Sequence, residues 1–461
     1  MHIQPPDSHR ADPESYLFGP RQAWFAYAMT ISLMVFDYVD RQVIVTIFPH
    51  LKAEWGLTDT QLGGLVSIVS VTVALFGIPA ALVADRFSRV KSIVVMAVVW
   101  SLATISCMFS RNYSLLFAAR GMVGFGEAGY GSVGAAMIAG HFPRHMHGSL
   151  LGGFFASASV GSVIGVVLGG FIAAHWGWQA AFGVVGFPGL VLALLYLFVK
   201  DYRTADLVAH EGSARRDVVA TAKQIAGSIF RPRTMLLVCL GGAAQLIVVS
   251  TLWAWLPSYL NRTYNMPPDQ AGAKAALVVL AGAFGSVIWG YVADRAGRKA
   301  LRRKLYAVSV LTLASMATLV FAFAAPGLGF TTTVSSQLVL IVLGAFLAAN
   351  TVGPVSAVVL NVMHPSVRAT GASVLSLFQN LFGLAAGPLI AGVASDHWGL
   401  QTTMMFMPLF SLVAVVMFLF TVRTYEEDVK HVREQIAAQS KQQNDSPPLG
   451  GENVAKAVAG H

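Results

Sequence analysis

The stretch Val83-Ala84-Asp85-Arg86-Phe87-Ser88-Arg89 returns 209 residues later as Val292-Ala293-Asp294-Arg295-Ala296-Gly297-Arg298. Each copy lies between two hydrophobic runs, so the pair marks one loop of two related halves, the construction of many secondary transporters. A second repeat supports the duplication. Gly161-x3-Gly165-Val166-x2-Gly169-Gly170 leads into His175-Trp176-Gly177-Trp178-Gln179, and 222 residues on Gly383-x3-Gly387-Pro388-x2-Ala391-Gly392 leads into His397-Trp398-Gly399-Leu400-Gln401. Glycines four apart share one helix face, so both runs are expected to pack tightly against partner helices.

The remaining sequence is too apolar for a soluble domain of this length. Of 461 residues 55% are hydrophobic and 11% charged, with a mean hydropathy of +0.63, which makes the bilayer the solvent. A spanning helix needs about 20 apolar residues. Twelve runs qualify, at 22–47, 60–84, 92–110, 113–138, 148–173, 178–199, 234–260, 270–293, 303–325, 333–360, 366–393 and 400–422. The expectation is an all-α membrane protein of twelve transmembrane helices in two pseudo-symmetric six-helix bundles, at 22–199 and 234–423. Residues 1–21 form an N-terminal segment, 200–233 a charged central loop and 424–461 a polar tail, helical at first.

Lys and Arg fall mainly in alternate loops. One set holds Arg86, Arg89, Lys91, Arg144, seven cations between Lys200 and Arg233, six between Arg295 and Lys304, and Arg368; the other holds only Lys52, Arg111 and Arg262. The positive-inside rule then puts both termini in the cytoplasm. The net charge of +9 is accounted for by this topology and by attraction to anionic membrane lipids, with no nucleic-acid partner implied. Short loops and compact tails suit a bacterial inner membrane, and the chain is expected to act as a monomer.

Ionisable groups at membrane depth mark function by default. Span 1 carries Asp37, Asp40 and Arg41, and span 4 carries Arg120 and Glu127 in Arg120-Gly121-x2-Gly124-x-Gly126-Glu127-Ala128-Gly129-Tyr130. Asp37 and Arg41 share a helical face, as do Arg120 and Glu127, about 10 Å apart along the axis. With all five ionised, three carboxylates face two guanidiniums. One carboxylate is then expected to hold a proton for part of a cycle, and an arginine moving on or off it binds or releases that proton. The alternative is a set of structural ion pairs within the first half.

The second half offers uncharged cavity-type groups: Gln245, Trp253, Trp255 and Tyr259 in span 7, Asn350 and Thr351 in span 10, Gln379 and Asn380 in span 11. The tryptophans also read as an interfacial belt. An apolar cavity with one cationic side suits an amphipathic anion with its head near Arg41 or Arg120, or an aromatic acid. Asp85, Arg86, Arg89, Asp294, Arg295 and Arg298 read as a cytoplasmic gate whose carboxylates favour helix N-termini and whose arginines bind acid.

Over residues 20–423 the chain resembles the major facilitator superfamily, through its six-plus-six duplication and the Asp-Arg-x-Gly-Arg loops. The second copy fits the family pattern (Gly290, Asp294, Arg295, Gly297, Arg298, Lys299); the first has Ala81 and Ser88 at glycine positions. The glycine run of span 5 is similar to the antiporter motif, with Val166 in place of its proline. Asp37-Tyr38-Val39-Asp40-Arg41 and the span 4 motif resemble the Spinster branch, whose animal members move lysophospholipids and sphingosine phosphate. That resemblance implies Asp40 and Arg41 as the proton-responsive pair, and the charge count of the cluster adds Asp37 and Glu127 to the same coupling set. It also places Arg120 and Glu127 beside the path of a lipid-like substrate, and the reading of cavity-type groups adds Tyr130, Trp255, Asn350, Gln379 and Asn380 as expected substrate-binding residues. The anion:cation symporter branch, which imports organic acids, has a related arginine in span 4 and is the competing reading.

No Gly-x4-Gly-Lys-Ser/Thr loop is present, so ATP-driven pumping is unsupported. No enzymatic activity, cofactor or metal is expected: Cys107 and Cys239 lie singly within spans, and His141, His145 and His147 lack carboxylate or thiolate company. Duplicated halves with scattered charges suit alternating access better than the charged rings of a channel. A transporter-like sensor would need a signalling domain.

Overall fold

The computed structural model describes residues 16–201, 233–329, 333–363 and 368–445. Most of the N-terminal segment and central loop, and the tail beyond 445, lie outside these residues. The chain is all-helical. The first half comprises α1 (Pro20–Thr46), the short α2 (Phe48–Trp55), α3 (Asp59–Arg86), α4 (Arg89–Met108), α5 (Tyr113–Glu127), α6 (Tyr130–His141), α7 (His147–Trp176) and α8 (Trp178–Leu195). The second comprises α9 (Arg233–Tyr264), α10 (Pro268–Lys299), α11 (Leu301–Ala324), α12 (Val334–Ala348), α13 (Val352–Asn361), α14 (Arg368–Phe378), α15 (Ala386–Trp398), α16 (Leu400–Phe406) and α17 (Phe410–Asp445).

Ten helical stretches among the described residues are long and apolar enough to cross a membrane. The other two expected spans are α1, which carries Asp37, Asp40 and Arg41, and a fourth span that is divided. The sequence suggests one helix over 113–138, but α5 stops at Glu127 and α6 starts at Tyr130, because Gly129 turns with φ 84°. Two spans of the second half are also irregular. A 3-10 turn at Ala349–Thr351 separates α12 from α13, and a π-helical turn over Gln379–Ala385 joins α14 to α15. Such departures inside a bilayer gather where the chain lines or buttresses a site.

The repeated motifs adopt matching geometry. Gly177 (φ 84°, ψ 159°) ends α7 and begins α8, and Gly399 (φ 78°, ψ 155°) does the same between α15 and α16. His175 and His397 each place Nδ1 2.9 Å from the carbonyl four residues back. The glycine faces pack as their spacing predicts. Gly161, Gly165 and Gly169 lie on α1, and Gly387 lies on α9, so close that a methyl group would strike the neighbouring backbone or its hydroxyl side chains.

The two halves meet through α3 against α15 and α7 against α10. The close contacts cluster at the ends remote from the Asp-Arg loops. A side chain at Gly63 would collide with the Pro388 carbonyl, and one at Gly272 with the Val166 carbonyl. Ser67 Oγ donates to Ala385 O across the same seam at 2.6 Å. On the face carrying the Asp-Arg loops, hereafter the basic face, a side chain at Gly131, Gly148, Gly152 or Gly290 would meet nothing. The tightest described contacts between the halves therefore gather at the face opposite the Asp-Arg loops.

The polar segment from 424, expected to be helical at first, continues α17 as far as Asp445. Tyr425 and Val429, one turn apart, are buried on the second half, and Arg302 pairs with Glu426 at 2.5 Å. The periodicity of two apolar residues is masked in the sequence by the charges around them.

Candidate functional site

The five charges of spans 1 and 4 converge, in a partition that residue spacing alone leaves open. Arg41 Nε donates to Asp37 Oδ1 at 3.0 Å within α1, while Nη2 lies 2.9 Å from Glu127 Oε2 on α5. Arg120 Nη1 turns to Asp40 instead, 3.3 Å from its Oδ2 and 3.5 Å from its carbonyl. Asp40 and Arg41 are neighbours in sequence, so a helix points them about 100° apart. The resemblance-derived Asp40–Arg41 pair is thus split between two clusters. Asp40–Arg120 is neutral when ionised, and Asp37–Arg41–Glu127 carries the surplus negative charge.

Glycines make this convergence possible. Gly124 abuts Val69 and Thr72 of α3, and Gly126 abuts the Trp100 backbone of α4, which draws α5 into the bundle. Glu127 is the last residue of α5, where unsatisfied carbonyls concentrate partial negative charge. That field favours the Arg41 guanidinium and opposes a second anion. Neither Glu127 carboxyl oxygen has an aligned hydrogen-bond donor among the described residues, although the carboxyl group is fully buried. Arg41 keeps 17% of its side chain accessible, whereas Arg120 keeps 1%. Arg41 also lies over the Tyr38 ring, 5.3 Å from its centroid.

Several expected path residues have their polar groups engaged elsewhere. Tyr130 is buried and donates its hydroxyl to the Thr30 carbonyl at 2.6 Å. Trp255 is buried between the halves, tilted against Phe48 and donating to the Pro388 carbonyl at 3.1 Å, so it forms neither a belt nor an open wall. Asn350 is buried in the second half, accepting from Thr312 at 3.3 Å and donating to Leu347 O at 2.8 Å. Gln379 and Asn380 are half-buried at the start of the π turn, and Asn380 donates back to Ser376 O. The polar groups of Tyr130, Trp255 and Asn350 thus support helix packing.

The gate residues at the basic face do not bridge the halves among the described side chains. Asp85 accepts from Arg89 at 2.8 and 3.0 Å, and Asp294 accepts from Lys304 at 2.7 Å. Arg86 and Arg295 are exposed. The Arg298 side chain lies outside the described residues. His141 and His147 of the neighbouring loop bond backbone carbonyls at Met137, Lys200 and Phe142.

A clamp at the opposite face was not singled out in the sequence. Asp59, at the first turn of α3, is buried and accepts from Lys52 Nζ at 2.6 Å, Ser395 Oγ at 2.5 Å and Nη1 and Nη2 of Arg262 at 2.6 and 2.8 Å. Asp396 reaches back from the second half to cap α3, accepting from the Asp59 and Thr60 amides, each at 2.8 Å. The signal was present: Lys52 and Arg262 are two of only three cations in the sparse loop set, and both serve one carboxylate. Asp59→Asn should weaken the sealed form by about 1.5–3 kcal/mol, the range for hydrogen bonds to charged groups. Labelling of an introduced cysteine, Ser67→Cys, by an impermeant maleimide should then rise at least about tenfold. Native Cys107 and Cys239 are buried and supply a low background. An unchanged rate would remove Asp59 from the closure.

Comparison with known proteins places this architecture. The model of the Major Facilitator Superfamily matches residues 30–381 and 238–450. An MFS-type efflux pump of Mycolicibacterium smegmatis is 27% identical over 385 residues, covering 82% of this chain and 86% of that one. Protein spinster homolog 1 of Xenopus tropicalis is 25% identical over 397 residues, covering 81% and 74%. Among solved structures, a bacterial homologue of the human lysosomal transporter Spinster, inward-facing and unoccupied, superposes with a TM-score of 0.77 at 20% identity, covering 89% of this chain and 99% of that one.

Proposed function

The chain belongs to the Major Facilitator Superfamily of secondary transporters, and we propose that it carries an amphipathic anion together with a proton by alternating access. One observation carries this reading: Arg41, the more accessible of the two buried-cluster cations, is shared by Asp37 and Glu127. An anionic head group that pairs with Arg41 competes with Glu127 for it. Once Glu127 loses its countercharge at the negative end of α5, binding a proton relieves an uncompensated buried anion. Substrate and proton therefore load together, and each favours the other.

The uncharged second half completes the amphipathic picture. Gln379 and Asn380 offer polar contacts on the π turn, while the head group stays with the first half. The resemblance of the span 1 and span 4 motifs to the Spinster branch favours a lysolipid- or sphingolipid-like anion. We place the basic face in the cytoplasm, so the form described, sealed at the opposite face, faces inward. We assign residues 22–199 and 234–423 as the two moving bundles of a monomer in a bacterial inner membrane.

Proton flux into liposomes carrying the protein and an internal pH dye tests this. Lysolipid-like anions should evoke a proton signal that protein-free liposomes lack. A signal from small hydrophilic carboxylates alone would assign the protein to organic-acid symport, and silence from both would refute proton-coupled anion transport for these classes.

A further inference from the structure

A groove of about 570 Å³ lies away from the buried charges, with walls on α3 and α4 and a floor on α5. Pro79 and Val83 line one wall, Val95 and Val99 the other, and Phe125 and Gly126 the floor. Phe125 and Glu127 are two residues apart, about 200° round the helix. The α5 backbone therefore separates the groove from the Arg41 cluster. Val83 and Val95 are 53% and 62% exposed, which opens the groove laterally along the outer wall of the first half.

Its polar groups gather at one end. Ser88, Lys91 and Ser92 line the end at the basic face, and the rest of the lining is apolar. Ser88 Oγ is engaged by Asp201 and caps α4 through the Lys91 amide at 3.1 Å. Arg89 is held by Asp85. Lys91 is exposed, and no described side chain forms an ion pair with its ammonium. From Phe76 to Phe87 the α3 wall rises roughly 16 Å, about half of a ~30 Å hydrocarbon core and so the depth of one leaflet.

We propose that this groove is a binding site for an anionic membrane phospholipid of the leaflet at the basic face. One acyl chain lies along Val83, Val95 and Phe125, and the phosphate meets Lys91. Three features specify this occupant: an apolar slot of one-leaflet depth, a lateral opening into the bilayer, and one cation, Lys91, among the lining residues at the head-group level. The site is distinct from the transport path, and its assignment does not depend on which substrate the central site carries.

A phospholipid with a photoactivatable group midway along one chain tests the assignment in liposomes, with phosphatidylglycerol and phosphatidylcholine versions compared. The phosphatidylglycerol probe should label peptides containing Val83, Val95 or Phe125, about five-fold more than the phosphatidylcholine probe, the contribution of one lysine near a membrane surface. Lys91→Gln should erase that preference, and Val95→Trp should block labelling by both probes. Both positions are exposed, and size-exclusion profiles report whether the variants fold. Equal labelling by the two probes, a preference that survives Lys91→Gln, or labelling that survives Val95→Trp would each overturn the proposal. The readout needs no transport, so it stands apart from the result of the proton-flux experiment.

Discussion

Glu127→Gln is expected to reduce substrate-evoked proton uptake to the level of protein-free liposomes while preserving substrate binding and counterflow exchange. The amide keeps the shape of the carboxyl group at the end of α5 but cannot titrate. It also frees Arg41 from one of its two anions, so an anionic substrate should bind as well as before or more tightly. Asp40→Asn is the informative comparison. Asp40 faces Arg120, in a pair that is neutral when both groups are ionised, so its amide should leave a proton signal that Glu127→Gln lacks. The opposite ranking would return coupling to Asp40, as the Spinster resemblance implies.

Arg41→Ala is expected to have the largest effect on stability, about 3–5 kcal/mol, the cost of removing one partner from a buried ion pair. Asp37 and Glu127 would then face each other at the end of α5 with no cation of their own, because Arg120 is occupied by Asp40. Adding Glu127→Gln should recover a large part of that loss by removing one stranded charge, a non-additivity typical of groups in one network. The check is unfolding of the two single variants and the double variant in detergent, followed by tryptophan fluorescence. Additive losses would mean that Arg41 and Glu127 do not act as a pair. Transport should fail in both Arg41 variants, since the head group loses its cation.

Much of the architecture was legible because it depends on local chemistry. The Asp-Arg repeats announced two related halves, and the repeated His-Trp-Gly turns fold with the same positive φ at Gly177 and Gly399. Glycines four apart declared close helix packing, which α7 and α15 show. The five buried charges were visible because ionisable residues are rare at membrane depth. The break at Ala128–Gly129 was less legible. Its glycine-rich sequence also reads as a packing face, and only the structure shows Gly129 turning with positive φ close against Gly77, Ala80 and Ala81 of α3.

Pairing was not legible. Residue spacing allows Arg41 to meet Asp37, but the choice of Glu127 for Arg41 and Asp40 for Arg120 depends on the rotation and depth of α5 against α1. The same holds for Asp59, whose partners Lys52, Arg262 and Ser395 come from three segments across both halves. It also holds for Trp255 and Asn350, whose polar groups are spent on packing contacts. The sequence by itself determined the solvent, the number of spans, the duplication and the rarity of buried charge, since each follows from composition and period along one chain. Only the tertiary structure decided which charges neutralise one another and at which face the tightest contacts between the halves gather, because Coulomb and hydrogen-bond energies depend on distances between helices far apart in sequence.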